Sequence, residues 1–180
     1  MSVREQAAST EHAARERLRR SFRPAALRIL FVGESPPASG KFFYRRDSGL
    51  YRAMRAAFQA ADPSIDEEHF LETFRACGCY LVDLCPEPVD KLERAMRAAM
   101  CRESEALLAN TIRRLQPETI ATLVRSIEGN VARSIARTVW HGRVIQLPYP
   151  GRWARHRSAF AGEVAPLVRE LLTHSLAAPR

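Results

Sequence analysis

Apolar and polar positions follow two periods along the chain, one typical of buried strands and one typical of amphipathic helices. Short continuous apolar runs predict four strands, at residues 26–32, 80–85, 119–124 and 144–147. Apolar residues at helical spacing predict helices at residues 10–22, 48–61, 64–78, 90–115, 131–138 and 156–175. Because helices separate the strands, we predict an α/β fold, a three-layer α/β/α sandwich with a central four-stranded parallel sheet.

Local signals predict where several helices begin and end. Thr10 and Ser48 stand where they can cap the first and second helices, and Ser64 and Glu67 have capping-box spacing for the third. Segment 90–115 is long enough for two helices, and Pro166 is expected to interrupt the last one. Four arginines of the first helix are predicted to face outward: Arg15, Arg17, Arg19 and Arg20.

The length of 180 residues predicts one domain at residues 25–177, on which a basic helix at residues 1–24 packs. The net charge of +8 comes from an excess of arginine and favours a polyanionic partner, although an Ala- and Arg-rich composition also follows from a GC-rich genome. No apolar run is long enough to cross a bilayer and no signal peptide begins the chain, so we expect a cytoplasmic monomer without a membrane partner.

Two acidic residues stand at predicted strand ends. Glu34 follows the first strand in the turn Gly33-Glu34-Ser35-Pro36-Pro37, and the carboxyl ends of parallel strands form the ligand crevice of α/β proteins. Asp83 lies in the second strand, and because a lone buried acid is costly it must have a partner or reach an open strand end. Either acid could act in catalysis, and Glu34 could equally be a solvated turn residue.

The motifs for nucleotide-triphosphate, dinucleotide and metal binding are absent from the sequence. Gly40-Lys41 is not a P-loop, because Ser35 and Phe42 occupy positions where that motif needs Gly and Ser or Thr. No helix opens with Gly-x-Gly-x-x-Gly, the fingerprint of dinucleotide binding. The four cysteines form no Cys-x-x-Cys pair, so we predict reduced, mostly buried thiols and neither a metal nor another cofactor.

Four segments, in order, resemble motifs of the uracil-DNA glycosylase superfamily over residues 27–160. Segment 33–37 is similar to the Gly-Glu-Ala-Pro-Gly motif of the thermophile-type iron-sulfur branch, whose acid activates water. Segment 40–43, Gly-Lys-Phe-Phe, resembles the loop that stacks a Phe on the extruded base. Segment 80–85 resembles the strand whose Asn reads the base edge, and segment 147–152 is placed like the His-Pro-Ser-Pro loop that wedges into the duplex.

The resemblance implies that Glu34 positions water and that Asp83 selects the base, and these two form the catalytic pair. The base-binding set that it implies is Ser35, Pro36, Phe43, Asp83 and Leu147. In an extended loop Phe42 and Phe43 cannot both face the core, so one ring should face the ligand. The DNA-binding set, with an arginine phosphate clamp and a wedge, is Arg45, Arg46, Pro148, Pro150, Gly151, Arg152, Trp153, Arg155 and His156.

The departures from the family pattern are informative. Leu147 occupies the place of the catalytic His, although His156 lies close enough in sequence to swing back. Asp83 replaces Asn, and since a carboxylate only accepts hydrogen bonds, a base with two neighbouring donors, or a protonated Asp83, would fit better than uracil. The N-terminal cysteines of the iron-sulfur branch are absent, while Cys85 and Cys101 resemble the other two, so no cluster is expected.

The resulting hypothesis is a DNA glycosylase that hydrolyses the N-glycosidic bond of a flipped-out deaminated or damaged base, uracil or hypoxanthine-like, in single- or double-stranded DNA. The alternative is a catalytically inactive nucleic-acid-binding protein that keeps the fold, for which Leu147 is the best support. A small-molecule hydrolase or nucleotide-binding enzyme on a generic α/β scaffold is the third possibility.

Overall fold

The computed structural model describes residues 3–151 and 153–177. Its centre is a sheet of four strands: β1 (Ile29–Gly33), β2 (Cys79–Asp83), β3 (Thr119–Thr122) and β4 (Arg143–Gln146). All neighbouring strands are parallel and the strand order is β2-β1-β3-β4. Strand β1 is buried along its whole length, as its uninterrupted apolar sequence requires. The prediction of a four-stranded parallel sheet is confirmed.

Helices surround the sheet and cover its apolar surface. Helix α2 packs against α7, and α5 packs against α6. The predicted division of segment 90–115 into two helices is confirmed, because α4 ends and α5 begins at either side of Ser104. The helices are α1 (Val3–Ser21), α2 (Gly49–Ala61), α3 (Phe70–Ala76), α4 (Arg94–Glu103), α5 (Glu105–Leu115), α6 (Glu128–Ala136) and α7 (Ala154–Ala177).

Three predicted helix signals are wrong. Thr10 lies inside α1, where its hydroxyl donates to the carbonyl of Gln6. Ser64 forms a turn with Asp62 instead of a capping box, because its N–H and hydroxyl both donate to the Asp62 carboxylate at 2.9 and 2.7 Å. Helix α7 continues through Pro166, which lies between buried residues whose packing outweighs the missing backbone hydrogen bond.

Two arginines of α1 face the domain rather than the solvent. Arg15 is buried and donates to the carbonyl of Pro86 and the carboxylate of Glu87. Arg19 is also buried and donates to Asp83. The prediction that Arg15 and Arg19 point outward is therefore wrong, because each guanidinium meets an acidic partner that offsets its burial.

The outer edge of β2 is closed by a side chain. The Tyr44 hydroxyl accepts a hydrogen bond from the Leu81 N–H at 2.8 Å and donates one to the Leu81 carbonyl at 3.1 Å. Burial raises the pKa of Tyr44 well above its usual value, so this hydroxyl keeps its proton. An edge strand whose backbone groups are satisfied in this way is protected from pairing with another chain.

Candidate active site

A cavity of about 490 Å³ opens at the carboxyl ends of β1 and β2, and both predicted acids line it. Gly33 pairs with Asp83 in the sheet register, and Glu34 follows immediately. The Glu34 carbonyl accepts the Cys85 N–H at 2.8 Å, so the ladder continues past the strand ends and holds both acids side by side. The two strand ends thus bring together the acids that the sequence placed there.

Gly33 provides the space that Asp83 needs. A Cβ atom at position 33 would lie 2.8 Å from Oδ1 of Asp83, closer than real Cβ contacts allow. The carboxylate therefore lies over the glycine, at the wall of the cavity. A side chain at position 33 would force the Asp83 carboxylate to move from this place.

Asp83 is paired with Arg19 of α1. The guanidinium NH2 of Arg19 donates to Oδ2 of Asp83 at 2.8 Å, and the two side chains are only 9% and 8% exposed. Burial raises the pKa of Asp83, and the charge of Arg19 opposes that rise. Arg19 also pairs with Glu16, and its guanidinium lies 5.4 Å from the centre of the Phe42 ring.

Glu34 is held by Arg97 of α4 in a two-point contact. Nε of Arg97 donates to Oε1 at 2.8 Å, and NH2 donates to Oε2. The carboxylate is 10% exposed and the guanidinium 38% exposed, so the arginine faces the solvent side of the pair. This fork uses one lone pair on each carboxylate oxygen, and the Cys101 thiol, 4.0 Å from Oε1, is a further donor to that oxygen. Oε2 keeps a lone pair that can accept from water. Hydrogen bonding to Glu34 raises the pKa of Arg97.

Two phenylalanines form part of the cavity wall. The segment Phe43–Arg45 is a 3-10 turn, closed by Arg46 in the left-handed conformation (φ 66°), and it directs both rings inward. Phe42 and Phe43 are only 2% and 3% exposed. The expectation that one of them leaves the core is therefore wrong, since the loop is not extended. Phe43 packs on the rings of Tyr44, Tyr51 and Phe74 and borders the cavity.

Segment 147–152, placed like the family loop that holds a His, contributes a tyrosine to the cavity. Leu147 is buried and does not line the cavity, so the structure does not support a base-binding role for it. Tyr149 does line the cavity and is half-exposed. Burial raises the pKa of Tyr149, as do the charges of Asp83 and Glu34, so its phenol stays protonated at neutral pH and can donate a hydrogen bond.

The turn after Glu34 also lines the cavity. Ser35 and Pro36 both contribute to its wall. The Ser35 hydroxyl accepts the N–H of Val89 at 3.2 Å, which ties this turn to the segment after β2. Ser48 faces the cavity as well, and its oxygen caps α2 by accepting the N–H of Tyr51 at 3.1 Å.

Two arginines of the predicted phosphate clamp already have partners. Arg45 pairs with Glu11 at 2.7 Å and donates to the carbonyl of Gly40. Arg46 donates to the carbonyl of Glu68 at 2.9 Å. Both side chains contact the protein in this structure and remain partly exposed, and their role in a phosphate clamp stays a prediction.

The predicted wedge segment leads into α7. Trp153 is half-exposed, and its carbonyl accepts the N–H of His156. Gly151 has a φ of 46°, and a Cβ there would lie 2.9 Å from the His156 ring, so His156 packs over this turn instead of reaching the cavity. Among the other members, Pro148 is half-buried, Pro150 is buried and Arg155 is exposed. Arg152 lies outside the described residues.

The cysteines are buried and reduced. The sulfurs of Cys85 and Cys101 lie 3.6 Å apart, and burial raises the pKa of Cys101 to about 12. In the described ranges, no group of three or more His, Cys, Asp or Glu side chains is arranged to hold a metal ion. Over the same ranges, no helix has the length and apolarity to cross a membrane.

An open parallel sheet with a ligand cavity at its carboxyl edge, bordered by the carboxylates of Glu34, Asp83 and Asp90, is the arrangement of an α/β enzyme. The family model of the uracil DNA glycosylase superfamily matches residues 20–175. The chain therefore belongs to this superfamily, which supports DNA glycosylase activity in general and DNA as the substrate. No curated protein matches the chain closely enough to count as a relative.

Proposed function

We propose that the protein hydrolyses the N-glycosidic bond of a deaminated or damaged base that has flipped out of DNA into the cavity. The observation that carries this proposal is that Glu34 and Asp83 line the same cavity, each held by an arginine. A volume of about 490 Å³ lies within the range of about 300–1,000 Å³ typical of small-ligand sites.

Glu34 has the position of the group that guides water. When the glycosidic bond breaks, its electron pair leaves with the base and positive charge develops on the sugar. A carboxylate stabilises this charge, and the remaining lone pair of Oε2 orients a water whose oxygen then bonds to C1′ and whose proton passes to solvent. Because Arg97 donates to both oxygens of Glu34, we assign the carboxylate an electrostatic and orienting role rather than that of a strong base.

Tyr149 is the group that we assign to the departing base. Leu147 supplies no hydrogen bond where the superfamily motif has a His, and the base must take up negative charge as it leaves. The phenol of Tyr149 borders the cavity and keeps its proton, so it can donate to a base oxygen or nitrogen. One donor of this kind typically contributes a factor of about 10²–10³ in rate.

Asp83 is the group that we assign to base selection. Arg19 favours the ionised carboxylate, which accepts hydrogen bonds and repels a carbonyl. The preferred base then presents two neighbouring donors to Asp83, and uracil, with a carbonyl beside its N–H, is a poorer substrate. Phe43 borders the same cavity and supports this selection as an apolar contact for the base.

The second candidate is a DNA-binding protein without glycosylase chemistry. Leu147 favours it, as does the pairing of Glu34 with Arg97, because both reduce the polar groups free for catalysis. This candidate predicts salt-dependent DNA binding with no release of any base.

The test is a panel of labelled oligonucleotides that carry uracil, hypoxanthine, xanthine or a damaged guanine, in single and double strands. Alkali cleaves the DNA wherever a base has been removed. We expect cleavage on at least one substrate by the wild-type protein. Cleavage of none, together with retained salt-dependent binding, would favour the DNA-binding candidate.

A further inference from the structure

A second crevice, of about 340 Å³, lies between α1 and α5 beside the edge strand β2. Four arginines line it: Arg19, Arg20, Arg23 and Arg114. The crevice shares only Asp83 with the cavity described above, so its ligand need not be the flipped base.

The positive charge of this crevice is largely uncompensated. Arg19 is neutralised by Asp83 and Glu16. The remaining three arginines, Arg20, Arg23 and Arg114, have no carboxylate within 4.0 Å among the residues that the structure describes. All three are exposed at the crevice, where guanidinium groups that have no acidic partner attract an anion.

Tyr80 gives the crevice a second polar feature. The side chain lines the crevice and the residue is only 4% exposed, yet its hydroxyl has no hydrogen-bond partner among the described residues. Burial raises the pKa of this phenol, as does the charge of Glu16, and the charges of Arg19, Arg23 and Arg114 oppose the rise. A hydroxyl without a protein partner, in the field of three guanidinium groups, is available to donate a hydrogen bond to a bound anion.

We propose that this crevice binds a phosphate group, with Arg23, Arg114 and Tyr80 as its direct contacts. Guanidinium groups match phosphate oxygens in geometry and charge, and the Tyr80 hydroxyl donates a further hydrogen bond. Leu107, which is half-exposed at the same crevice, offers an apolar surface to whatever carries the phosphate. That carrier is a nucleic-acid strand or a small phosphorylated molecule, and the two are separated by experiment.

The first measurement titrates inorganic phosphate into the ¹⁵N-labelled full chain and follows the arginine Nε–H signals by NMR. We expect saturable shifts of the Arg23 and Arg114 signals, and at least tenfold weaker binding in Arg23→Gln/Arg114→Gln. The control Arg94→Gln/Arg102→Gln removes the same charge from exposed positions of α4 that line neither site. Equal phosphate binding by the two double variants would overturn the proposal.

Tyr80→Phe is the second test, because it keeps every arginine and removes only the hydroxyl. We expect phosphate binding to weaken at least threefold, with the melting temperature close to that of the wild-type protein. Unchanged phosphate binding in Tyr80→Phe would show that Tyr80 does not contact the phosphate. Unchanged binding in both Tyr80→Phe and Arg23→Gln/Arg114→Gln would overturn the proposed site.

The carrier is identified by two parallel titrations. Fluorescence anisotropy of an undamaged labelled duplex, measured at increasing salt concentrations, tests the nucleic-acid strand. Arg23→Gln/Arg114→Gln should then reduce the slope of log binding constant against log salt concentration by about 0.9 for each phosphate that the variant no longer neutralises. Titration of adenosine monophosphate tests a small phosphorylated molecule as the carrier. Tight binding that Arg23→Gln/Arg114→Gln and Tyr80→Phe weaken, and that the α4 control does not, would support it. Failure of both probes to respond to the crevice variants would contradict the proposal. Base release needs neither arginine, so this failure leaves the proposed glycosylase untouched.

Discussion

Arg19 donates a hydrogen bond to Asp83 over 2.8 Å, and the pair joins the N-terminal helix to the end of β2. The two residues are 64 positions apart in sequence, and both are more than nine-tenths buried. Helix α1 is consequently part of the site, because it supplies the charge that balances the acid proposed to select the base.

Removal of Arg19 should destabilise the protein strongly. Arg19→Met keeps much of the apolar stem but leaves the Asp83 charge buried without a partner, a change that typically costs about 3–5 kcal/mol of unfolding free energy. Urea denaturation of the wild type and the variant measures this difference. Arg17→Met, an exposed position of the same helix, is the control and should cost less than about 0.5 kcal/mol. Equal losses in both variants would contradict a buried, paired Arg19.

The same variant should change the pH dependence of stability. Burial raises the folded-state pKa of Asp83 above its ordinary value of 3.8, and loss of Arg19 should raise it further. The folded state then holds a proton that the unfolded state has released, so the free energy of unfolding falls as pH rises from about 4 through the raised pKa. Urea curves at several pH values should show a steeper fall in Arg19→Met than in the wild type. Arg19→Met/Asp83→Asn should remove the difference, and equal slopes in all three proteins would refute the linkage.

Asp83→Asn should shift base preference toward uracil. The amide both donates and accepts, so it matches the adjacent carbonyl and N–H of uracil, while its oxygen can still accept from Arg19. We expect the rate ratio of uracil to a donor-bearing damaged base to rise at least tenfold, measured under single-turnover conditions. The matched change Asp90→Asn, also at the cavity wall, should leave the ratio within twofold. A ratio that both substitutions leave unchanged would remove Asp83 from base selection.

Tyr149→Phe should slow base release by about 10²-fold without weakening DNA binding, since it removes one hydrogen-bond donor and keeps the ring. Single-turnover rates and anisotropy separate the two effects. Tyr51→Phe, a buried tyrosine whose ring packs on Phe43, controls for loss of a hydroxyl elsewhere. A wild-type rate in Tyr149→Phe would assign the departing base to another group.

The cysteines should be unreactive in the folded protein. Burial raises the pKa of all four thiols, and that of Cys101 to about 12, so little thiolate exists at neutral pH. A chromogenic disulfide reagent should detect four thiols in denaturant and fewer than one without it, within minutes. Rapid reaction of the folded protein would show that these sulfurs are accessible.

The sheet and the two acids could be predicted because each depends on local sequence. Strands buried on both faces have continuous apolar runs, and the carboxyl ends of parallel strands meet at one edge, so Glu34 and Asp83 had to lie near each other. The family model that shows membership of the superfamily covers residues 20–175, which include both acids.

The arginine partners could not be predicted, because they depend on tertiary placement. Periodicity treats an arginine as a solvent-facing residue, yet Arg19 and Arg97 reach acids more than 60 positions away. Phe43 was expected on an extended loop, and only the left-handed Arg46 reverses the chain so that both neighbouring rings turn inward. Tyr149 carried no motif of its own, although its place beside Leu147 marks it as a cavity residue once the fold is known.

Glu34→Gln offers the most direct test of the proposed hydrolysis. The substitution keeps the shape of the side chain and one acceptor for Arg97, but it removes the negative charge that would stabilise the sugar cation. The control is Glu103→Gln, the same change at an exposed position of α4. Mass spectrometry of the free base under single-turnover conditions should show release by the wild type and by Glu103→Gln, and at least 10²-fold slower release by Glu34→Gln. Equal rates in all three proteins would contradict the role of Glu34, and no free base from any of them would contradict the glycosylase itself.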